Sequence, residues 1–204
     1  MDRRLTQRGK ERKRQLMDFA ATRFAESGYH PTSVAEIVEG MGVGKGVFYW
    51  YFASKEELLL EILREAQQDM RRRQQQEMGD SSDPVERLES GIRATMHWLA
   101  EHRDLMSLFE FAQADEHFAP LLRPGRDNSM SDVMRHVQEA MVAGRVPNGD
   151  PFVVSHAIIG VTNHLARVFI LGREEPAEDV AQAAIMFCRS GLLGQRGGAG
   201  CQLR

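Results

Sequence analysis

The sequence predicts an all-α protein of about nine helices, and three observations predict it. Nearly every patterned stretch carries its apolar residues at helical spacing, while strand-like alternation is scarce. Helix-start signals recur in front of those stretches: Ser33 with Glu36, Ser54 with Glu57, and Pro84 at a first turn. Gly and Pro clusters separate the stretches where helices should stop.

The first helix is expected from about Arg8 to Ser27, with Leu16, Phe19, Ala20 and Phe24 on one face and Gly28 as its stop. Ser33 opens a second helix with Val34, Ile37, Val38 and Met41 at i, i+3, i+4 and i+7, broken by Gly42-Val43-Gly44. A short third helix, Lys45 to Phe52, precedes a long fourth whose inner face is Leu59, Ile62, Leu63, Ala66 and Met70. Further helices are expected over Pro84–Glu101, Arg103–Gln113, Arg126–Ala143, Pro151–Leu171 and Ala177–Leu193. Pro120 and Pro124-Gly125 mark a loop in this reading, and the glycine-rich segment after Leu193 reads as a disordered tail.

Composition narrows the class. The chain has 204 residues, 42% hydrophobic and 27% charged, enough for a real core under a solvated surface. The net charge of −3 hides an asymmetry: up to Lys55 there are ten Lys/Arg against six Asp/Glu, and the remainder is acidic. A basic end suits a polyanion, as it would a solvated face. Two cysteines, Cys188 and Cys201, make no disulfide framework and fit a reducing compartment. The basic N-terminus lacks the apolar core of a signal peptide, and no 18-residue run is uninterruptedly apolar. A cytoplasmic protein without a membrane span is expected.

The second and third helices, joined by a glycine turn, have the spacing of a helix-turn-helix, in which one helix braces across DNA and the next enters the major groove. Val34, Ile37, Val38, Met41, Val43, Phe48 and Phe52 form its inner set. Lys45, Gly46, Tyr49 and Trp50 are left pointing outward. Aromatic tips that hydrogen-bond phosphates explain an outward Tyr-Trp pair, and packing on a neighbouring domain is the alternative. Gly46 inside a helix costs about 1 kcal/mol against alanine, which makes sense if another surface must come close.

The run Pro31-Thr32-Ser33-Val34 to Ile37, then Gly42-Val43-Gly44-Lys45-Gly46-Val47-Phe48-Tyr49-Trp50-Tyr51-Phe52 and Ser54-Lys55-Glu56-Glu57-Leu58, resembles the DNA-binding domain of the TetR family of transcriptional regulators. The resemblance covers about Lys10 to Leu63. It implies that Lys45, Gly46 and Val47 sit nearest base edges, with Trp50 on the same outward face. It further implies that Tyr49, Tyr51 and Lys55 hold phosphates and that Thr32 or Ser33 caps the brace helix against the backbone. Gly44 stands where the family usually has serine, and Val47 where it has threonine, which trades a hydrogen bond for apolar contact. By the same resemblance the chain divides into a helix-turn-helix domain at 1–55, a ligand-sensing and dimerisation domain at 56–195 and a tail at 196–204. Its implied partners are double-stranded operator DNA, a second copy of itself and a small apolar or amphipathic effector that releases it; repressor is the implied sign.

The body carries no family motif. Val154, Ala157, Ile158, Val161 and Leu165 on the eighth helix, with Val180, Ala184 and Phe187 on the ninth, form apolar stripes that can bury within one chain or in a four-helix bundle between copies. The resemblance favours the second. A Met/Phe-rich belt in the middle helices is ordinary core on its face, but the resemblance implies a cavity between helices four to eight. Met96, His97, Met106, Phe109, Gln113, Met134 and Asn163 are its candidate lining. His136 and His164 are further polar candidates.

An enzyme is the main rival class. The glycines at 42, 44 and 46 fail as a phosphate loop, because Glu39 and Gly46 stand where Gly and Ser/Thr are needed, and Val47 fails a dinucleotide fingerprint. There is no Gly-x-Ser-x-Gly, and none of the seven histidines lies three or four residues from another. No metal site, cofactor or catalytic group is expected. A second rival is a dimer that binds DNA without sensing anything.

Overall fold

The computed structural model describes residues 6–193; the expected tail at 196–204, and Cys201 within it, lie outside the described residues. Among the described residues there are nine α-helices and no strand. They are α1 (Gln7–Ser27), α2 (Val34–Gly40), α3 (Lys45–Tyr51), α4 (Lys55–Met78), α5 (Pro84–Glu101), α6 (Arg103–Ala114), α7 (Phe118–Val142), α8 (Pro151–Leu165) and α9 (Ala177–Leu193). A π-helical segment, Ala166–Leu171, prolongs α8.

Caps define the starts as the sequence suggests. Thr6 accepts from the Gly9 amide, Asp83 from Val85 and Asp150 from Phe152. Ser33 and Glu36 close a full capping box, Glu36 N–H to Ser33 Oγ at 3.2 Å and Ser33 N–H to Glu36 Oε2 at 2.7 Å. The second box is displaced by one residue: Glu57 N–H donates to Ser54 Oγ, but the Glu57 carboxylate accepts from Ala53 N–H instead of Ser54.

One expected loop is helix. α7 begins at Phe118 and runs through Pro124. Pro120 falls in its first turn, where an N–H has no partner to lose, and Pro124 removes only the bond to the Pro120 carbonyl. Gly125 then lets α7 lie against the Gln67 side chain of α4, where any Cβ would collide.

The chain forms two compact units that do not follow a single cut in the sequence. The first comprises residues up to Ala66 together with Asp104–Arg123; the second comprises Gln67–Arg103 and the residues from Pro124 onward. α4 and α7 are continuous helices with residues in both. In the first unit Leu16, Phe24, Ile37, Phe48, Leu59 and Leu63 are fully buried. α6 belongs here: Phe111, with Phe118 at the start of α7, stacks around Tyr29 at centroid distances of 5.2 and 5.4 Å. Burial, with the carboxylate of Glu56 beside it, pushes the Tyr29 phenol well above its ordinary range, so this ring stays neutral.

The second unit is built on α5, which packs most closely on α9, then on the π-helical segment and α8. Ion pairs tie its helices: Arg71 grips Asp132 at 2.7 and 3.2 Å, Arg87 meets Glu139, and Arg93 and His97 share Glu178. Trp98, buried, donates its indole N–H to Asp69 at 2.9 Å and stacks on His102. That donor holds the Asp69 carboxyl below its usual range. The stretch Pro151–Leu171 has a mean hydropathy of 1.3 and is long and apolar enough, by length and composition, to cross a membrane. The test of an uninterrupted apolar run had excluded one. His156, Asn163, His164 and Arg167 interrupt the run without bringing the average down.

Candidate nucleic-acid interface

The candidate interface is made by α2, α3 and the turn between them. α2 presents Ile37 and Val38 to the core. Gly42, at φ +64°, takes a left-handed conformation that a side chain would strain, and Val43 N–H closes the turn on the Val38 carbonyl at 2.9 Å. Gly44 precedes α3 in an extended conformation with no side-chain cap, as expected where serine is missing. Phe48 and Phe52, one helical turn apart and both buried, seat α3 on the core with ring centroids 5.9 Å apart.

That seating decides what faces out. Lys45 and Gly46 are exposed, and Tyr49 and Trp50 are 56% and 60% exposed, unusual values for large aromatics. Val47 and Tyr51 are half-buried at the flanks. A Cβ built on Gly46 meets nothing within 4 Å, so the fold itself does not require glycine there. Ser33 is exposed, its oxygen occupied by the capping box. On α1, Arg8 and Lys10 are exposed, whereas Lys13 pairs with Glu61 and lies over the Phe52 ring.

Two expected contact residues are placed elsewhere. Thr32 is 2% exposed and donates its hydroxyl to the Gly28 carbonyl at 2.8 Å, so its side chain closes the turn after α1. The ammonium of Lys55 donates to the carbonyls of Tyr29, His30 and Thr32 at 2.8, 3.3 and 2.8 Å. All three of its donors thus face main-chain carbonyls of one turn. Sequence spacing locates a lysine at the start of α4 but not the direction in which its flexible side chain folds.

The expected effector residues divide between the units. Met106, Phe109 and Gln113 lie on α6 in the first, the rest in the second. Met96 and Phe109 are buried and Met106 and Met134 half-buried, but three polar candidates face solvent. His97 pairs with Glu178 at the surface, and Gln113 and Asn163 are exposed. Each is adjacent in sequence to a buried residue (Met96, Ala112 and Thr162), and one position is 100° of helix, enough to turn a side chain out. His136 is buried, with Nδ1 lacking a hydrogen-bond partner. In the second unit, Val85, Leu88, Ile92, Ile158 and Ile185 line part of an apolar cavity of about 30 Å³, room for one water, which none of the seven candidates borders; a second cavity of about 220 Å³, lined by Arg73, Glu77, Arg93, Ala94 and His97, takes in one of them.

The expected dimer stripes also split. Ile158, Val180 and Ala184 are buried within the chain itself. Val154, Val161 and Leu165 are half-buried, and Ala157 and Phe187 are exposed. Phe152, Val153 and Met186, which the stripe reading missed, are exposed beside them in sequence. Both helices are apolar on more than one face, so periodicity finds apolar positions without saying which side meets the chain's own core.

Comparison with known proteins gives matches over both parts of the chain. Residues 16–62 match the family described as bacterial regulatory proteins, tetR family, and residues 81–192 match the tetracyclin repressor-like C-terminal domain. The chain is 30% identical over 99 residues to the HTH-type transcriptional repressor KstR2 of Mycobacterium tuberculosis, a match spanning 48% of this chain and half the length of that protein. It is 25% identical over 185 residues to the HTH-type transcriptional regulator YdgC of Bacillus subtilis, covering 86% of this chain and 90% of that one. Among solved structures, the transcriptional regulator FadR of Bacillus subtilis in complex with stearoyl-CoA superposes with a TM-score of 0.78 at 20% identity, over 88% of this chain and 98% of that one.

Proposed function

This chain belongs to the tetR family of bacterial regulatory proteins, and on that premise we propose that it is a cytoplasmic repressor that binds a palindromic operator as a homodimer and releases it on taking up a small, largely apolar effector. One observation carries the DNA half: α3 turns Lys45, Gly46, Tyr49 and Trp50 outward while Phe48 and Phe52 anchor it from behind. Its leading residues Lys45, Gly46 and Val47 read base edges in the major groove; Tyr49, Tyr51 and the Ser33 end of α2 hold phosphates.

The dimer reading rests on apolar side chains left uncovered on α8 and α9: Phe152, Val153, Met186 and Phe187, with Ala157 and the open side of Gly160 allowing close helix approach. A second copy accounts for them, and for the high hydropathy of Pro151–Leu171, without a membrane. Two copies would hold two α3 helices about 34–36 Å apart, one turn of DNA.

For the effector, the cavities of about 30 and 220 Å³ both fall below the roughly 300 Å³ that small-molecule sites need. Taking one up therefore requires the helices of the body to part. α4 and α7 are uninterrupted helices with residues in both units, so parting them biases the unit that carries α3. The small size of both cavities favours a second reading, a DNA-binding dimer that senses nothing.

A mobility-shift assay on a duplex from the chain's own upstream region, with and without a panel of apolar ligands that includes stearoyl-CoA, tests both halves. A salt-sensitive shift abolished by a panel member supports the proposal. A shift that no ligand changes supports the second reading, and no shift at all defeats both.

A further inference from the structure

Among the described residues of the first unit the ammonium of Lys55 is heavily engaged, and the carbonyls it holds belong to one short turn. It donates to the main-chain carbonyls of Tyr29, His30 and Thr32 and stands 4.3 Å from the centre of the Tyr29 ring. An ammonium has three N–H donors, and three carbonyls take them. These carbonyls lie in the turn beyond α1, outside any helix, where each needs a donor from elsewhere. The carboxylates of Glu36 and Glu56 lie close enough to feel its charge. A DNA phosphate approaching Lys55 would meet acidic neighbours and a cation with no proton to offer.

Topology gives the contact its meaning. The turn at 28–32 leads directly into Ser33 and α2, the entrance of the helix-turn-helix; Lys55 is the first residue of α4, directly after its exit. Thr32 and Lys55 are 23 positions apart, and the chain between them is α2, the Gly42 turn, α3 and its junction to α4. Lys55 thus closes a ring around the reading head. The Tyr29 ring beneath it also packs on Phe111 of α6 and Phe118 of α7, which places the clamp where these helices touch the head.

We propose that Lys55 is a positioning residue, not a phosphate contact: by tying the start of α4 to the carbonyls of Tyr29, His30 and Thr32, it sets the angle at which α3 meets the groove. The inference rests on reading the outward face of α3 as the DNA-contacting surface. It separates from a phosphate role because guanidinium is a planar fork that serves phosphate at least as well as ammonium, yet cannot aim three protons from one nitrogen at three converging carbonyls.

The test uses the full chain and a duplex carrying the palindrome that the wild type selects from a random pool. Affinity is measured between 50 and 300 mM salt, well below each variant's melting temperature, for Lys55→Met and Lys55→Arg. Both are expected to bind at least about tenfold more weakly than wild type, with the slope of log K against log salt unchanged. Restored affinity in Lys55→Arg, with a slope lower by about 0.9 in Lys55→Met, marks a lost phosphate contact and overturns the proposal. A lowered melting temperature with unchanged affinity also overturns it, leaving Lys55 a stabilising group only. If Lys55→Met does not fold, Lys55→Arg alone decides, since the two roles predict opposite results for it. Tyr49→Ala and Lys45→Ala run alongside: if both bind as wild type while the Lys55 variants are impaired, the reading of α3 is what fails, and the role given to Lys55 goes with it.

Discussion

The ring of Tyr29 stands 5.2 Å from that of Phe111, centroid to centroid and tilted by 31°. Tyr29 belongs to the turn that enters the helix-turn-helix and Phe111 to α6, so a helix numbered with the body by sequence is packed into the unit that carries α3. Removing the ring should loosen that turn. Phe111→Ala is expected to cost about 1–3 kcal/mol, less than for a fully buried Phe because Phe111 is half-buried. Amide exchange at 28–33 should quicken with it. Urea unfolding and hydrogen exchange check this; unchanged protection of that turn would show that α6 bears no load there.

Gly46 separates stability from recognition. Nothing in the fold lies within 4 Å of where its Cβ would be, so Gly46→Ala should stabilise the free protein by about 0.5–1 kcal/mol through helix propensity alone. If the backbone approaches base edges, the added methyl should weaken operator binding about tenfold or more. A raised melting temperature with a lowered affinity is the expected pair. Equal affinity would place α3 further from the bases than proposed.

Lys45 and Tyr49 should fail differently. Both are exposed on α3, Lys45 at its leading end and Tyr49 one turn later. Lys45→Ala should cost about 1–3 kcal/mol on the preferred operator and flatten the preference for one base pair, as loss of a base contact does. Tyr49→Ala should weaken preferred and scrambled duplexes by a similar factor. Competition binding against single-base operator variants reads the difference.

The helical architecture was legible because it rests on local signals: the cap at Ser33, Pro84 at a first turn, the Gly42 turn, apolar residues at helical spacing. The outward face of α3 was legible too, since Phe48 and Phe52 leave only one side for Tyr49 and Trp50. What failed to show depends on long-range geometry. Lys55 and Thr32 look like surface polar residues until the turn at 28–32 is folded against them. The start of α7 was hidden by Pro120, which falls in the first turn where it costs little, and by Pro124, which the helix carries in its interior. Ile158, Val180 and Ala184 enter the chain's own core, a choice the sequence left open because an apolar stripe does not say whose core it enters.

Phe187 tests what covers α8 and α9. It is 64% exposed with Met186 beside it at 59%, although full burial of such a side chain stabilises by roughly 1.5–3 kcal/mol. Phe187→Glu should dissociate the dimer without unfolding the chain, since the side chain is not part of the intrachain core. Sedimentation should report a monomer, and operator affinity should collapse because one α3 cannot span two half-sites. A dimer that survives Phe187→Glu would put the interface elsewhere.

His136 gives the stability a pH dependence of definite sign. It is buried on α7, and burial first, then the guanidiniums of Arg135 on α7 and Arg87 on α5, hold its imidazole below the ordinary 6.5, against the pull of Glu139. In the folded chain it is neutral near pH 7, while the unfolded chain takes up a proton at about pH 6.5. Below that value the unfolded state therefore binds more protons, and stability falls as the pH drops. The carboxylates held low by hydrogen bonds, Glu36, Glu56, Asp69, Asp83, Glu101 and Glu178, lose their contribution only below about pH 4.5, so their own titration does not confuse the window from 7.5 to 5.5. Across that window the melting temperature of the wild type should decline, and that of His136→Gln should decline less. Parallel curves would mean that the imidazole takes its proton without leaving the fold.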